Sequence, residues 1–314
     1  MEHTSESQRG VALLIVLILV TLMSLLAVNM NGLFVSSYQR AEAINAFQTQ
    51  QWIVNNEEKR LLKQMAQRKS EGFPGQYHWR RTLNLGGTSW QIEGELESAQ
   101  RCFNLNTLAR LPGSAAESGS EPYQRYQAML AELLALHPAG QNGVAIAQNL
   151  LQKYAALQET RQPDDKPRVP RLYLENALPA VVRQVMHEDR VSPLCLLPSR
   201  QARVDINQLT REQAPLLAAL FTPDLSAEQA GALIAARPDE GWKTLKDAHE
   251  AWMKISYEPS VTLSQFEELL SVRSHFWRSR MTVKNDDYSL SVNSDIYFSP
   301  EERLSFIWNH RYVY

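Results

Sequence analysis

No charged side chain occurs between Gly10 and Gln39, and within that stretch Val11 to Val28 reads VALLIVLILVTLMSLLAV. As a helix this run covers about 27 Å at roughly 1.5 Å per residue, and with Asn29 to Val35 added it can span a bilayer. The rest of the chain is ordinary in composition: 44% of residues are apolar, and 32 Lys plus Arg oppose 34 Asp plus Glu. That near-balance creates no global field to draw nucleic acid or an acidic membrane, so a binding surface has to be local. At 314 residues there is room for this anchor and a soluble body with a real core.

The polar leader MEHTSESQRG precedes the apolar run and ends in Arg9 and Gly10. A secretory signal would put small residues for cleavage after the apolar region, whereas Val28 is followed by Asn, Met, Asn and Gly. Leader, Arg9-Gly10 and unbroken apolar helix together resemble a substrate of prepilin peptidase, which cuts on the cytoplasmic side and leaves the apolar helix in the mature protein. Cleavage then falls between Gly10 and Val11. Gly10 offers a backbone with no side chain in the way, and Arg9 stays in the cytoplasm under the positive-inside tendency. An ordinary signal anchor with an incidental Arg-Gly is the alternative.

Tyr38 to Lys69 contains no proline or glycine and is rich in Ala, Gln, Glu, Leu and Lys, which predicts that the helix continues beyond the membrane. Ala43, Phe47, Trp52 and Leu61-Leu62 supply a loose apolar stripe. The whole stalk is then about 55 to 60 residues, or roughly 85 Å. Gly72-Phe73-Pro74-Gly75 predicts its end.

Next, Tyr77 to Asn106 reads as a hairpin about Gly86-Gly87, with Trp79, Leu83 and Leu85 on one side and Trp90 to Glu97 on the other. From Leu108 to Leu270 the pattern changes to short helices with proline-rich joints: Met129 to Leu136, Val144 to Leu157, Leu178 to Met186, Pro215 to Leu220 and Glu228 to Ala236. Ser274 to Tyr314 returns to strand composition. The expected class is α+β: a long stalk helix on an antiparallel sheet, with a large, mostly helical domain inserted in the sheet. Two similar sites, the N-x-N of Asn104-Leu105-Asn106 and the D-x-N of Asp205-Ile206-Asn207, frame parts of that insertion and read as structural turns, because Asn and Asp bond nearby backbone amides.

This succession resembles the minor pseudopilin K (GspK) family of the type II, or general, secretion pathway. The matching segments are Arg9-Gly10-Val11-Ala12-Leu13-Leu14, Gln50-Gln51-Trp52 with Glu57-Glu58, Phe103-Asn104-Leu105-Asn106, and Leu194-Cys195-Leu196-Leu197-Pro198 leading to Val204-Asp205-Ile206-Asn207. The resemblance implies a leader at 1–10, a transmembrane stalk at 11–36, a periplasmic stalk at 37–72, a split sheet domain at 73–106 and 274–314, and a helical insertion at 107–273. It also implies N-methylation of Val11 after cleavage. Most mature pilins carry glutamate as their fifth residue, to pair with a neighbour's free N-terminus; counted from Val11 the fifth is Ile15, which implies a subunit with nothing stacked above it. Implied partners are the minor pseudopilins of types I and J (also H), the major pseudopilin G, prepilin peptidase and the inner-membrane secretion platform. The implied location is the bacterial inner membrane, single pass, with the C-terminal domain in the periplasm.

Family members bind calcium through an acidic cluster in the insertion. Here the nearest stretches offer only Asp164, Asp165 and Glu175, and Lys166 beside the aspartates opposes the charge concentration that six to eight oxygen ligands need. A family-type calcium site is therefore not expected, and no other cofactor is implied. Cys102 and Cys195 are the only cysteines and face an oxidising periplasm. A bridge would close a loop of about 90 residues; two separate buried thiols are the alternative.

Two rival readings remain open. One is a type IV pilus minor pilin serving adhesion or DNA uptake. The other is a membrane-anchored helix-hairpin-helix module for DNA, suggested by Val204 to Trp252. Its hairpin position, Phe221-Thr222-Pro223-Asp224-Leu225-Ser226, lacks the glycine such a hairpin uses and carries an aspartate that repels phosphate. No H-E-x-x-H, G-x-S-x-G or Walker loop occurs, and His187-Glu188-Asp189 reads as a solvent-side helix end, so an enzyme is not expected.

Overall fold

The computed structural model describes residues 5–67, 76–110, 120–159, 178–187, 192–199, 201–255, 261–299 and 304–313. Helix α1 (Ser5–Gln67) is 63 residues long, roughly 95 Å at 1.5 Å per residue. Its most apolar stretch has a mean hydropathy of 2.7 and is wholly unburied, so by length and composition it can cross a membrane. The expected stop at Gly72 to Gly75 lies outside the described residues.

Strands β1 (Gln76–Leu85) and β2 (Thr88–Ser98) form the expected hairpin. Gly86 and Gly87 have φ of +58° and +82°, the backbone that a two-residue turn of matching twist requires. The chain then leaves the sheet after Ser98 and returns at β7 (Phe276–Lys284), followed by β8 (Ser289–Ser299) and β9 (Leu304–Val313). The sheet is antiparallel throughout, in the order β1-β2-β7-β8-β9. A stalk, a split antiparallel sheet and an inserted helical region make the fold α+β.

One sheet face carries Trp79, Trp90, Ile92, Leu96, Met281, Val283, Leu290, Val292 and Ile296 against Ala46, Ile53, Val54, Leu61 and Met65 of α1. Each large apolar side chain buried here contributes on the order of 2 kcal/mol. Gly94 is needed in β2 because the Trp79 ring lies where a Cβ would be, 2.1 Å away. The opposite face is a ladder of charge running across the strands. Arg80 pairs with Glu93 (3.3 Å), Lys284 with Glu93 (3.4 Å), Arg280 with Glu95 (3.5 Å) and Glu97, and Arg278 with Asp295 (2.9 Å). This face is polar, so the sheet has one apolar side and the stalk covers it.

Within the insertion are α2 (Glu121–Ala135), α3 (Gly143–Glu159), α4 (Ala180–His187), α5 (Ala214–Leu220), α6 (Ala227–Ala235), α7 (Leu245–Ile255) and α8 (Leu263–Leu269). Helices α7 and α8 were not expected from the pattern. Their signals are caps: Thr244 and Asp247 bond each other's backbone amides, as do Thr262 and Gln265. One core, from Phe103 through Trp252 to Leu270, joins all these helices. Two short parallel pairs tie the connecting chain together, β3 (Phe103–Asn104) with β4 (Leu194–Cys195) and β5 (Val204–Asp205) with β6 (Leu270–Ser271).

Candidate functional site

Two features distinguish this molecule: a helix that projects bare from its body, and a polar seam where the insertion is attached. Every residue of α1 from Leu13 to Asn45 is exposed, and a sheet-facing side begins only at Ala46. From there the buried positions are 46, 50, 53, 54, 57, 58, 61 and 65, one face of a helix at steps of three and four. Polar contacts fix the rotation of the helix about its axis. Gln50 Nε2 donates to the Val283 carbonyl (3.1 Å), and Glu57 accepts from Arg60 Nε (2.7 Å) and an Arg81 guanidinium N–H (2.6 Å). Glu58 accepts from the Ser294 hydroxyl and lies 3.4 Å from His310 Nε2, while Gln51 Nε2 donates to the Tyr312 hydroxyl (3.3 Å).

The rotation corrects the expected apolar stripe. Trp52 lies about 100° from Ile53 around the axis, and it is turned outward and 55% exposed. Tyr38 and Ile44 are exposed as well, so large apolar side chains on the stalk face away from the body well past the end of the uncharged run. Ile15 is exposed on the bare part of α1. Gly10 and Val11 are within the helix.

Direction along the stalk also follows from these contacts. Gln50 meets Val283, and eight residues further on Glu58 meets Ser294, which is paired with Ser279. The C-terminal end of α1 therefore points toward Phe276, where the chain passes into the insertion. The helical domain sits at the stalk's far end from the apolar anchor.

At that junction the N-x-N and D-x-N sites both act as braces. Asn104 Nδ2 donates to the Ser199 carbonyl (2.6 Å), and its Oδ1 accepts from the amides of Leu197 (2.9 Å) and Asn106 (3.2 Å). Asn106 Nδ2 donates to the Leu197 carbonyl (2.7 Å). Asn207 repeats the arrangement: Nδ2 donates to the carbonyls of Trp242 and Val272 (both 2.9 Å), and Oδ1 accepts from the Trp242 amide (2.7 Å). Gly241, with φ +79°, lets the chain come close, since a Cβ there would lie 3.0 Å from the Asn207 carboxamide. Cys102 and Cys195 are joined with a Cα separation of 5.8 Å, closing the first of these braces.

Gln100, Arg101, Gln213 and Ser274, which sequence reasoning passed over, complete the seam together with Asp205. Gln100 Oε1 accepts from the amides of His275 (2.6 Å) and Phe276 (3.1 Å), and its Nε2 donates to the Arg203 carbonyl (2.6 Å). Gln213 Nε2 donates to the Arg101 carbonyl (3.0 Å), and Arg101 pairs with buried Glu97 (2.5 Å). Buried Asp205 accepts from Ser274 Oγ (2.7 Å) and the Asn207 amide (3.0 Å); burial pushes its carboxyl up to about 6, against these bonds and nearby Arg237. Gln100, Arg101, Gln213 and Ser274 belong to no recognisable run, so only the placement of Gln100 at an element boundary could have flagged it.

Asp164, Asp165 and Glu175 lie outside the described residues, and so do Glu188 and Asp189. Among the described residues no three His, Cys, Asp or Glu side chains gather as metal ligands. In the helix-hairpin-helix-like segment, an Arg237 guanidinium N–H donates to the carbonyls of Ile206 (3.2 Å), Asn207 and Leu209 (both 2.9 Å), which commits it to the fold. Arg211 and Glu228 flank a shallow cleft between α5 and α6 lined by Ala214, Ala227, Gly231 and Ala232.

Comparison with known proteins gives a consistent picture. Residues 204–273 match the family model described as type II secretion system (T2SS), protein K. The putative type II secretion system protein K of Escherichia coli (strain K12) is 27% identical, with 97% of this chain and 98% of that protein covered. The type II secretion system protein K of Aeromonas hydrophila is 25% identical over 91% of this chain and 92% of its own. A chain in the crystal structure of the GspK-GspI-GspJ complex from enterotoxigenic Escherichia coli shares the fold, with a TM-score of 0.61 and 23% identity over 88% of this chain and 99% of that one.

Proposed function

The chain belongs to the type II secretion system protein K family, and on that premise we propose that it is the tip subunit of a short periplasmic pseudopilus. In this reading the pseudopilus pushes folded proteins toward an outer-membrane channel, and this chain caps and initiates it. The observation that carries the reading is the polarity of the molecule: an unpartnered apolar helix at one end and the bulky insertion at the other. A helix with Ile44 and Trp52 outward beyond the uncharged run needs neighbours, because so much exposed apolar surface is costly in water. The insertion at the membrane-distal end would obstruct a further subunit on top.

The mechanism is geometric. Prepilin peptidase frees the amine of Val11, which is then methylated, and the helix stays in the inner membrane. The stalk packs sideways against the stalks of the type I and type J minor pseudopilins, with types H and G below. Ile15 replaces the glutamate that would hold the N-terminus of a subunit above, so the position is terminal. The outer sheet face, balanced in charge, stays in solvent. Force comes from a cytoplasmic motor through the inner-membrane platform, which leaves this chain no chemistry of its own to perform.

Co-expression with the type I and type J pseudopilins, followed by native mass spectrometry in detergent, tests this. A complex with one copy of each is expected, with Trp52→Ala reducing its recovery about tenfold, the loss of roughly 1.4 kcal/mol. Recovery of this chain only as a monomer or as a long homopolymer would contradict the proposal.

A further inference from the structure

Beyond Ala46 every fully exposed residue of α1 falls on one face, within about 120° of arc and opposite the row that packs on the sheet. The spine of this outer row is Gln48, Trp52, Asn55, Lys59 and Lys63, and toward the membrane it continues through Asn45, Ala41 and Tyr38, all exposed. Steps of three and four alternate from Tyr38 to Lys59, the spacing at which two supercoiled helices meet. The row changes character along its length: apolar and aromatic at the membrane end, carboxamides at Asn45, Gln48 and Asn55, and cationic at Lys59 and Lys63. No acidic residue lies on it, because Glu57 and Glu58 are buried against the sheet and Glu42 is about 100° round from Ala41. Neither lysine has an ion pair or hydrogen bond with any described residue. Lys59 also stands about 30 Å along the helix from Gln39, where the uncharged run ends, well beyond the Debye length of about 8 Å over which lipid headgroups would be felt.

Resting on the tip-subunit reading above, we propose that this row seats one helix of a partner subunit, parallel to α1, and that the partner is selected by carboxylates set opposite Lys59 and Lys63. The row starts in the apolar part of α1 and runs unbroken for roughly 32 Å from Tyr38 to Lys59. Only a rod anchored in the same membrane covers both ends, and a helix of like polarity puts its own apolar part beside this one. The two lysines are one turn apart on the same face, so two carboxylates one turn apart on the partner meet both. Trp52 is the knob of the contact and calls for small residues around it on the partner. Asn45 and Gln48 fix the register, because their carboxamides are satisfied in the contact only when a polar group is brought opposite them. Apolar contact at the membrane end supplies affinity, and charge at the distal end supplies discrimination. A second copy of this chain, packed in parallel and in register, would bring Lys59 and Lys63 against their own counterparts, so the same row that attracts an acidic stalk rejects a like one.

Co-expression of the full chain with the type I and type J pseudopilins, extraction in detergent and native mass spectrometry test this. The natural complex should be recovered at about 50 mM salt and fall several-fold at about 500 mM, where the Debye length is only roughly 4 Å. Lys59→Glu with Lys63→Glu should lower recovery about tenfold at the lower salt and abolish that salt dependence. The melting temperature should not change, because neither side chain touches the body. The same reversal at two exposed lysines of the insertion, Lys243→Glu with Lys254→Glu, should leave recovery within about twofold. As a second measurement, a photo-reactive phenylalanine analogue placed at Gln48 or at Asn55 should cross-link to the same single partner stalk. A complex that forms but ignores the Lys59 and Lys63 reversal, or whose cross-links from Gln48 and Asn55 reach no stalk or two different ones, would overturn this inference and leave the tip reading standing. Failure of the natural chain to form any complex would overturn both.

Discussion

Asn104 and Asn207 show how single polar side chains can hold a large insertion in place. Each is a carboxamide serving both donors and acceptors of strands that are distant in sequence. Asn104→Ala would leave the Leu197 amide and the Ser199 carbonyl without their partner, at a cost of about 2 to 4 kcal/mol. A drop in the chemical-denaturation midpoint with unchanged stalk helicity is the expected measurement. Gly241→Ala should cost about 1 to 2 kcal/mol, because φ is positive and the new methyl meets Asn207. Both asparagines could be read from sequence as turn formers, since short polar side chains near a helix start have few other uses. Their partners could not: Asn207 reaches Val272, 65 positions away, and nothing local marks that carbonyl.

At the scale of elements, α1 combines two helices with different requirements. The uncharged run and, from Tyr38 onward, the absence of Pro and Gly announce its length, because those are local properties of the backbone. Its facing is not local. The sheet selects the row through Ile53 and Val54, and the Glu57–Arg81 ion pair and the Ser294 hydroxyl bond to buried Glu58 lock it, so Trp52 turns outward even though its apolar character suggests the opposite. Trp52→Ala should therefore leave thermal stability within about 0.5 kcal/mol of the natural chain while weakening assembly. Gly94→Ala, by contrast, drives a methyl into the Trp79 ring and should destabilise the sheet by about 1 to 3 kcal/mol, read as a lowered melting temperature. The hairpin at Gly86-Gly87 was evident from alternation and turn residues, whereas α7 and α8 were hidden because short helices in a folded insertion owe more to their caps than to periodicity.

For the whole molecule, the chain order matters as much as any element. Strands β2 and β7 are neighbours in the sheet although the insertion separates them in sequence, and the Cys102–Cys195 bridge ties the insertion close to its root. Replacing both cysteines by serine should cost about 2 to 5 kcal/mol, concentrated in the insertion. That the insertion lies at the far end of the stalk could not be inferred from spacing alone, because it depends on which way β7 runs beside α1. The division of labour we propose is a helix to pack, a sheet to hold it, and a cap beyond. All of it presupposes that the apolar helix remains on the mature protein with a new N-terminus. Intact mass and N-terminal sequencing of the chain from membranes with and without prepilin peptidase test that most directly. A start at Val11 that depends on the peptidase is predicted; an unprocessed Met1, or a cut after the apolar helix, would contradict the account.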